Sequence, residues 1–447
     1  MNLISRINLN YSIYFSLLFA LIPISFIAGN MIININILLL ILSSIFVYQK
    51  KIFQIKYYLL DKILLTFFLF VIFTGLYNDI KIYLDDFSKW IGYFRTIIKS
   101  ILFLKYLLLY FVLRYLIENN IIKFKYFFLF STFGTIFVSL DIFYQLITGK
   151  DIFGYESIAL GRKLGGPFGD ELIAGGYIQR FCLFSFFLLP IFYNYKSKKI
   201  LVILFSLLFI VFFSAITFSG NRMPLILFLF TIFLISLFQK QARNLLIPCL
   251  IVFSILFSAI YTFNSKVNYN FIVFYGQIKE MALTIKQKDL KLETAPQYLK
   301  EFSTFYDTWL MNKYAGGGIK NFRYYCHKRP NIKKDFSLSS KFKMVCNMHP
   351  HNYYLEILTE TGIIGFLIII SFFLIVFYKT LVKKYFLRSN LYYNHIITPF
   401  IFLFIVEIFP IKSTGSFFTT GNTTYLFLII GTLIGLTQRD ISIEKKS

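Results

Sequence analysis

Long unbroken apolar runs alternate with short basic stretches along most of this chain, and that pattern predicts a polytopic helical membrane protein. Runs extend from Tyr11 to Ala28, Ile33 to Tyr48, Ile63 to Tyr77, Ser100 to Ile117, Lys125 to Thr148 and Gly176 to Tyr193. Others extend from Ile200 to Ser219, Pro224 to Phe238, Leu245 to Thr262, Ile363 to Tyr378, Ile396 to Ile411 and Tyr425 to Leu436. A helix needs roughly 20 apolar residues to cross the hydrocarbon core, so the fold class expected is all-α with about twelve transmembrane helices. A barrel is excluded, because its strands alternate apolar and polar residues, whereas these runs are continuous. No small-residue cleavage site follows the first run, which is therefore expected to stay as a helix.

Composition agrees, with 57% hydrophobic and 21% aromatic residues and a mean hydropathy of +0.68. The net charge of +25 changes the picture only when read loop by loop. Lys50, Lys51, Lys56 and Lys62 follow the second run, Lys123 and Lys125 the fourth, and Lys196, Lys198 and Lys199 the sixth. Lys240 and Arg243 follow the eighth, and Lys379, Lys383, Lys384 and Arg388 the tenth. Cytoplasmic loops concentrate Lys and Arg, so these loops and both termini are expected on the cytoplasmic side. The stretch from Tyr77 to Arg95 departs from the rule; its Asp79, Asp85 and Asp86, with Trp90 and Tyr93, suggest an interfacial helix.

The same alternation puts one large loop, between the ninth and tenth helices, in the periplasm. The chain then divides into residues 1–262 with helices 1–9, a loop over 263–352, and residues 353–447 with helices 10–12 and a cytoplasmic tail. The loop is basic, with Lys266, Lys279, Lys313, Lys320, Arg323, Lys328 and Arg329 among its cations. Such an excess on the outer side suits a function that handles anions, or else is a solvated basic face. Cys326 and Cys346 lie in this loop, where an oxidising compartment permits a disulfide; Cys182 and Cys249 sit inside apolar runs. No Cys/His spacing matches a zinc site, and no cofactor is expected.

Polar clusters converge on the outer face. Where the large loop meets the membrane again, the sequence reads Met348-His-Pro-His-Asn-Tyr-Tyr-Leu-Glu356 and runs on to Gly362 and Gly365. Pro350 disfavours helical geometry before it, so a helix is expected to begin near His351 or Asn352, leaving an imidazole at a helix entrance. A helix N-terminus favours anions and a neutral imidazole, which suits diphosphate binding or proton acceptance; an exposed loop histidine is the plainer alternative. Between the seventh and eighth runs lies Phe218-Ser-Gly-Asn-Arg-Met-Pro224, whose short length holds Arg222 near the bilayer surface, as a phosphate-binding fork or a snorkelling side chain. Arg180 lies about one turn inside the sixth run and should face a cavity or a carboxylate, with Asp141, Glu171 and Glu407 available.

At these residues the chain resembles the bacterial O-antigen ligase and O-antigen polymerase superfamily. The resemblance rests on Ser219-Gly-Asn-Arg222, on Tyr314-Ala-Gly-Gly-Gly-Ile-Lys-Asn-Phe322, and on His351-Asn-Tyr-Tyr-Leu-Glu356 continuing through Glu360-Thr-Gly-Ile-Ile-Gly365; Gly166-Pro-Phe-Gly-Asp-Glu171 is similar too. It implies a metal-independent glycosyltransferase of the inner (cytoplasmic) membrane, its active site facing the periplasm, acting in lipopolysaccharide biosynthesis. The donor would be an undecaprenyl-diphosphate-linked glycan, and the acceptor a hydroxyl of lipid A-core (ligase) or of another glycan (polymerase). Ile226 stands where one ligase pattern has leucine, which leaves ligase and polymerase both open. The family's essential histidine and arginines would correspond to His351 and Arg222, expected as catalytic. Arg162 and Arg180, with Asn221 and Asn352 beside the motifs, are expected to bind substrate, and Gly362, Cys326 and Cys346 to be structural. No nucleic-acid partner is expected. A transporter or flippase of a lipid-linked anion is the alternative from a different class, and would predict internal repeats that are not apparent.

Overall fold

The computed structural model describes residues 11–85, 95–158, 161–192, 198–238, 240–287, 297–329, 346, 351–386, 391–413 and 415–444. Two regions expected to be informative, the stretch around Trp90 and Tyr93 and the turn at His349 and Pro350, lie outside the described residues. The first part of the chain forms α1 (Tyr11–Ala20), α2 (Ile22–Ile27), α3 (Asn30–Tyr48), α4 (Leu59–Asp85), α5 (Arg95–Phe103), α6 (Lys105–Glu118) and α7 (Phe124–Thr148). The middle forms α8 (Ala174–Phe192), α9 (Lys198–Phe218), α10 (Arg222–Phe238), α11 (Lys240–Phe263), α12 (Ser265–Gln287), α13 (Gln297–Leu310) and α14 (Phe322–Cys326). The last part forms α15 (Tyr353–Phe377), continued by a π-helical stretch over Tyr378–Phe386, then α16 (Leu391–Glu407) and α17 (Thr420–Glu444). Among the described residues eight helices are long and apolar enough to cross a membrane, and four shorter apolar helices accompany them. Helices are the expected solution, since each satisfies its own backbone hydrogen bonds where lipid offers no partner.

Large apolar side chains such as Phe46, Phe133 and Ile147 point outward, while an aromatic cluster of Phe127, Phe128, Phe184 and Phe400 fills the interior. The most enclosed span is α17, with 83% of its apolar window buried against 33% for α3. Gly431 and Gly435 let it approach α6 closely: a Cβ at these positions would lie 3.2 Å from that of Leu113 and 3.0 Å from that of Ile117. Small residues four apart are a recurrent means of bringing membrane helices together. At the far end of α6 the fully buried Arg114 binds Asp61 at 2.5 Å, Glu118 at 2.7 Å and the Lys56 carbonyl at 3.0 Å. A charge so completely paired is tolerated away from water.

The feature that shapes the site is a break in α15. The helix starts at Tyr353, ten residues before the apolar run expected to begin at Ile363, and is interrupted at Gly362, where φ is 65° and ψ −172°. The start agrees with the helix expected to begin near His351 or Asn352; Glu356 and Glu360 lower the hydropathy of the first half, yet both are buried. The backbone groups freed by the break are taken up by the glycine-rich loop 313–318. Gly317 and Gly318 N–H donate to the Thr359 and Glu360 carbonyls at 2.9 and 2.8 Å, and Ile363 and Ile364 N–H donate to the Lys313 and Tyr314 carbonyls at 2.9 and 3.3 Å. The buried Asn78 of α4 locks this junction by donating to the Gly316 carbonyl at 3.1 Å while accepting the Tyr325 hydroxyl at 2.7 Å. Cys326 and Cys346 are joined by a disulfide, with Cα atoms 5.5 Å apart, beside the stacked rings of Phe305 and Phe322.

A side chain at Gly362 would meet both an unfavourable φ and the Tyr314 carbonyl, which its Cβ would overlap. Gly362→Ala should therefore cost about 1–3 kcal/mol, read as a lower melting midpoint of the purified protein in detergent; an unchanged midpoint would mean that the loop does not depend on this approach.

Candidate functional site

The Ser219–Arg222 turn links α9 to α10 and is threaded against the preceding loop. Gly220 adopts a φ of 73°, and a Cβ there would overlap the Arg162 carbonyl. The Asn221 amide donates to the Leu172 carbonyl at 2.8 Å, and the Leu164 N–H donates to the Ser219 carbonyl at 3.3 Å. Gly175, at the start of α8, leaves room for Ser219 and Asn221. This backbone weave brings Arg162 and Arg222 to one wall, formed by α12. The Arg222 guanidinium donates to Gln277 at 3.0 Å and stands 5.3 Å from the ring of Phe274, and that of Arg162 lies 4.7 Å from the ring of Tyr269. A small cleft opens here between Thr217, Asn221, Arg222, Val267 and Phe271. One side of it is cationic and the other apolar.

Arg180 faces inward, as its position requires, and of the three candidate acids it pairs with Glu407. Its Nη2 lies 2.8 Å from Glu407 Oε1 and donates to Asn422 Oδ1 at 2.7 Å; its guanidinium stacks 4.9 Å from the Tyr425 ring. Asp141 is engaged elsewhere, accepting the Ile152 N–H at 2.8 Å. Glu407 also binds Lys412 at 2.6 Å and accepts the Tyr353 hydroxyl at 2.5 Å. Two cations therefore share one carboxylate, which leaves one positive charge over when all three are ionised. Burial pushes the Lys412 ammonium down to about 8, against the raising pull of Glu407.

The first turn of α15 completes the constellation. Asn352 caps it, its Oδ1 accepting the Tyr354 and Leu355 N–H at 2.9 and 3.2 Å. Its amide nitrogen donates to the Pro410 carbonyl at 2.7 Å and the Lys412 carbonyl at 3.3 Å. Asn352 thus ties the helix entrance to the segment that carries Lys412. His351, half-buried, stands just before this cap and two residues from Tyr353. Deeper in, Glu356 accepts the Ser416 hydroxyl at 2.5 Å and the Phe417 N–H, and Glu360 is buried one turn further along.

The helix α8 is the common spine. Its Gly176 lies against Pro224, next to Arg222, and Arg180 sits one turn further along to reach Tyr353 and Glu407. The turn carrying Arg222 and the helix entrance carrying His351 thus flank one helix. The amides of Asn221 and Asn352 are spent on backbone groups and shape the site from within. Inspection of the sequence did not single out Lys412, Tyr353 or Asn422 for this network. Lys412 carried a signal, being the lone cation of its short connection; Tyr353 and Asn422 carried none. No group of three or more His, Cys, Asp or Glu residues that could hold a metal occurs among the described residues.

Residues 207–370 match the family model described as O-antigen ligase. The match includes the Arg222 turn, the glycine-rich loop and His351, and leaves Arg162, Arg180, Glu407 and Lys412 outside it. No curated protein matches the chain.

Proposed function

Because the chain belongs to the O-antigen ligase/polymerase superfamily, we propose that it is a membrane glycosyltransferase using an undecaprenyl-diphosphate-linked glycan as donor. In the ligase form of the reading, the glycan passes to a hydroxyl of lipid A-core at the periplasmic face of the inner membrane. The observation that supports the reading is a cleft with Arg222 on one side and apolar residues of α12 on the other, with Arg162 against the same helix and His351 two residues from Tyr353, which Arg180 of α8 reaches. A lipid diphosphate has both characters of that cleft, a polyanion joined to an apolar tail. Arginine forks suit its oxygens, with aromatic and aliphatic side chains of α12 beside them.

The chemistry follows from charge. The acceptor oxygen attacks the anomeric carbon as the bond from that carbon to the diphosphate oxygen breaks, and the electron pair leaves with the diphosphate. Arg222, with Arg162, stabilises that leaving anion, so no metal is assigned to the step. The proton lost by the acceptor hydroxyl goes to His351, and the displacement inverts the anomeric centre. Arg180 lies between these groups with its charge already engaged by Glu407, so its role is to position the entrance of α15 rather than to grip the donor.

The test is transfer by the purified protein in nanodiscs, given a lipid-diphosphate glycan and an acceptor, with no added metal. Arg222→Lys should lower the rate at least about tenfold, because a point charge replaces a paired fork; a fully active lysine variant would remove Arg222 from the donor site. In a deletion strain, core alone together with free lipid-linked polymer identifies the ligase, and core bearing one repeat unit identifies the polymerase. Movement of the lipid across a bilayer without a new glycosidic bond would sink the reading.

A further inference from the structure

Arg162 is carried by the long connection from α7 to α8, and a side chain of α7 sets the course of that connection. Gln145, in the last turn of α7, is 1% exposed. Its Oε1 accepts the Gly166 N–H at 3.0 Å, and its Nε2 donates to the Tyr155 carbonyl at 3.2 Å. One amide thus grips the connection on both sides of Arg162. Asp141, one turn earlier on the same face of α7, adds a third hold by accepting the Ile152 N–H at 2.8 Å. Between these grips Ile158 and Lys163 exchange both backbone hydrogen bonds, at 3.0 and 3.2 Å, directly next to Arg162.

The choice of an amide has a chemical reason. The two partners are of opposite kinds, a backbone donor at Gly166 and a backbone acceptor at Tyr155, and a primary amide serves both at once. Methionine would serve neither, and an ionised carboxylate only the first. Backbone groups buried without partners are costly, so the loss of either bond loosens the connection where it crosses α7. Both polar atoms of Gln145 are engaged and the side chain is enclosed. It can act on a substrate only through what it holds.

What it holds is fixed from the other side by α12. The Asn270 amide donates to the Arg162 carbonyl at 3.1 Å, and the Leu164 N–H donates to the Ser219 carbonyl at 3.3 Å. The backbone of Arg162 is therefore set between α7 and α12. Its guanidinium is delivered to the Tyr269 ring, on the same helix whose Gln277 receives Arg222.

We propose that Gln145 is a positioning residue of the donor site: through the connection it grips, it holds Arg162 on the wall of α12 for the lipid diphosphate. The assignment rests on the transferase reading, and on Arg162 as a contact of the donor.

The experiment is binding of an undecaprenyl-diphosphate-linked glycan to the full chain in nanodiscs, with hydrogen exchange over residues 149–166 followed in parallel. Arg162→Gln should weaken binding about tenfold or more. Gln145→Met should speed exchange in that segment and weaken binding by most of the same factor. The double variant should bind no worse than Arg162→Gln alone, because no arginine is then left to displace. Gln145→Glu, of the same size and still an acceptor for Gly166, should show the same non-additivity and serves where the methionine variant folds poorly. In the transfer assay Gln145→Met should raise KM for the donor and not for the acceptor, whereas a general loss of fold would lower the amount of active protein and change neither. Gln145 variants that bind the donor as the wild type does, or whose losses add to that of Arg162→Gln, would overturn the inference. Unchanged binding in Arg162→Gln would overturn it too, and a loss in Arg222→Ala alone would still uphold the donor cleft. The expected binding pattern without any glycosidic bond formed would keep the positioning role and sink the transferase reading.

Discussion

Arg180→Ala should destabilise the protein by about 3–5 kcal/mol and abolish transfer with it. The residue lies within α8, and its guanidinium is the hub joining Glu407, Asn422 and Tyr353. Removing it leaves Asn422 Oδ1 without that donor. It also leaves the Glu407 carboxylate, 1% exposed, to share its charge with Lys412 alone. Breaking a buried pair costs more than deleting both members, because the survivor remains desolvated. Arg180→Met combined with Glu407→Gln should therefore be less damaging than the two single changes added together, with a coupling of about 1–3 kcal/mol. Melting midpoints of the four proteins in one detergent measure this, and additive effects would show that the contact contributes no net pairing. Arg180→Lys should fold better than the alanine variant yet remain impaired, since an ammonium cannot serve Glu407 and Asn422 in the same plane.

His351→Ala should reduce transfer about 10²–10⁴-fold while leaving the amount and melting of the protein close to wild type. The imidazole is half-buried and stands outside α15, where the capping is done by Asn352, so its loss removes little packing. Donor binding should be retained in His351→Ala and weakened in Arg222→Ala, because in the proposed mechanism the imidazole serves the acceptor hydroxyl and the guanidinium the departing diphosphate. Transfer at the wild-type rate in His351→Ala would remove it as the proton acceptor. The contrast with Arg180 is informative: one variant should fail through the fold and the other through the chemistry, although the two residues flank the same tyrosine, Tyr353.

The glycine-rich loop explains why a loop and a membrane helix act as one unit. Its backbone completes the hydrogen bonding of α15 at Gly362, so the entrance of α15, with Asn352 and His351, is held by a segment from the middle of the long connection. The match to the O-antigen ligase family spans both partners of this junction. A loop docked in this way fixes the height of His351 relative to α8 without requiring a continuous helix beneath it.

The sequence by itself determined the class, the helical membrane-spanning character and the motifs worth inspecting, because those properties are local. Apolar runs of the right length must become helices in lipid, and a basic residue set in an apolar run must turn inward wherever it finds a partner. The placement of Arg222 in a tight turn and a helix start near Asn352 follow from residues within a few positions, whereas Asn352, expected to bind substrate, was shown as the cap only by the structure. Only the tertiary structure decided which acid Arg180 meets, since Glu407 lies 227 residues away and nothing in local pattern ranks it above Asp141 or Glu171. The same holds for Lys412 and for the docking of the 313–318 backbone at Gly362. Pairings across distant elements depend on how helices are set against one another, and that arrangement comes from side-chain shape and small residues such as Gly431 and Gly435. The buried Glu356 and Glu360 show the limit most directly. They delayed the apolar run to Ile363 although a helix start was legible near Asn352, because hydropathy assigns a carboxylate to water unless donors such as Ser416 and Phe417 are already known.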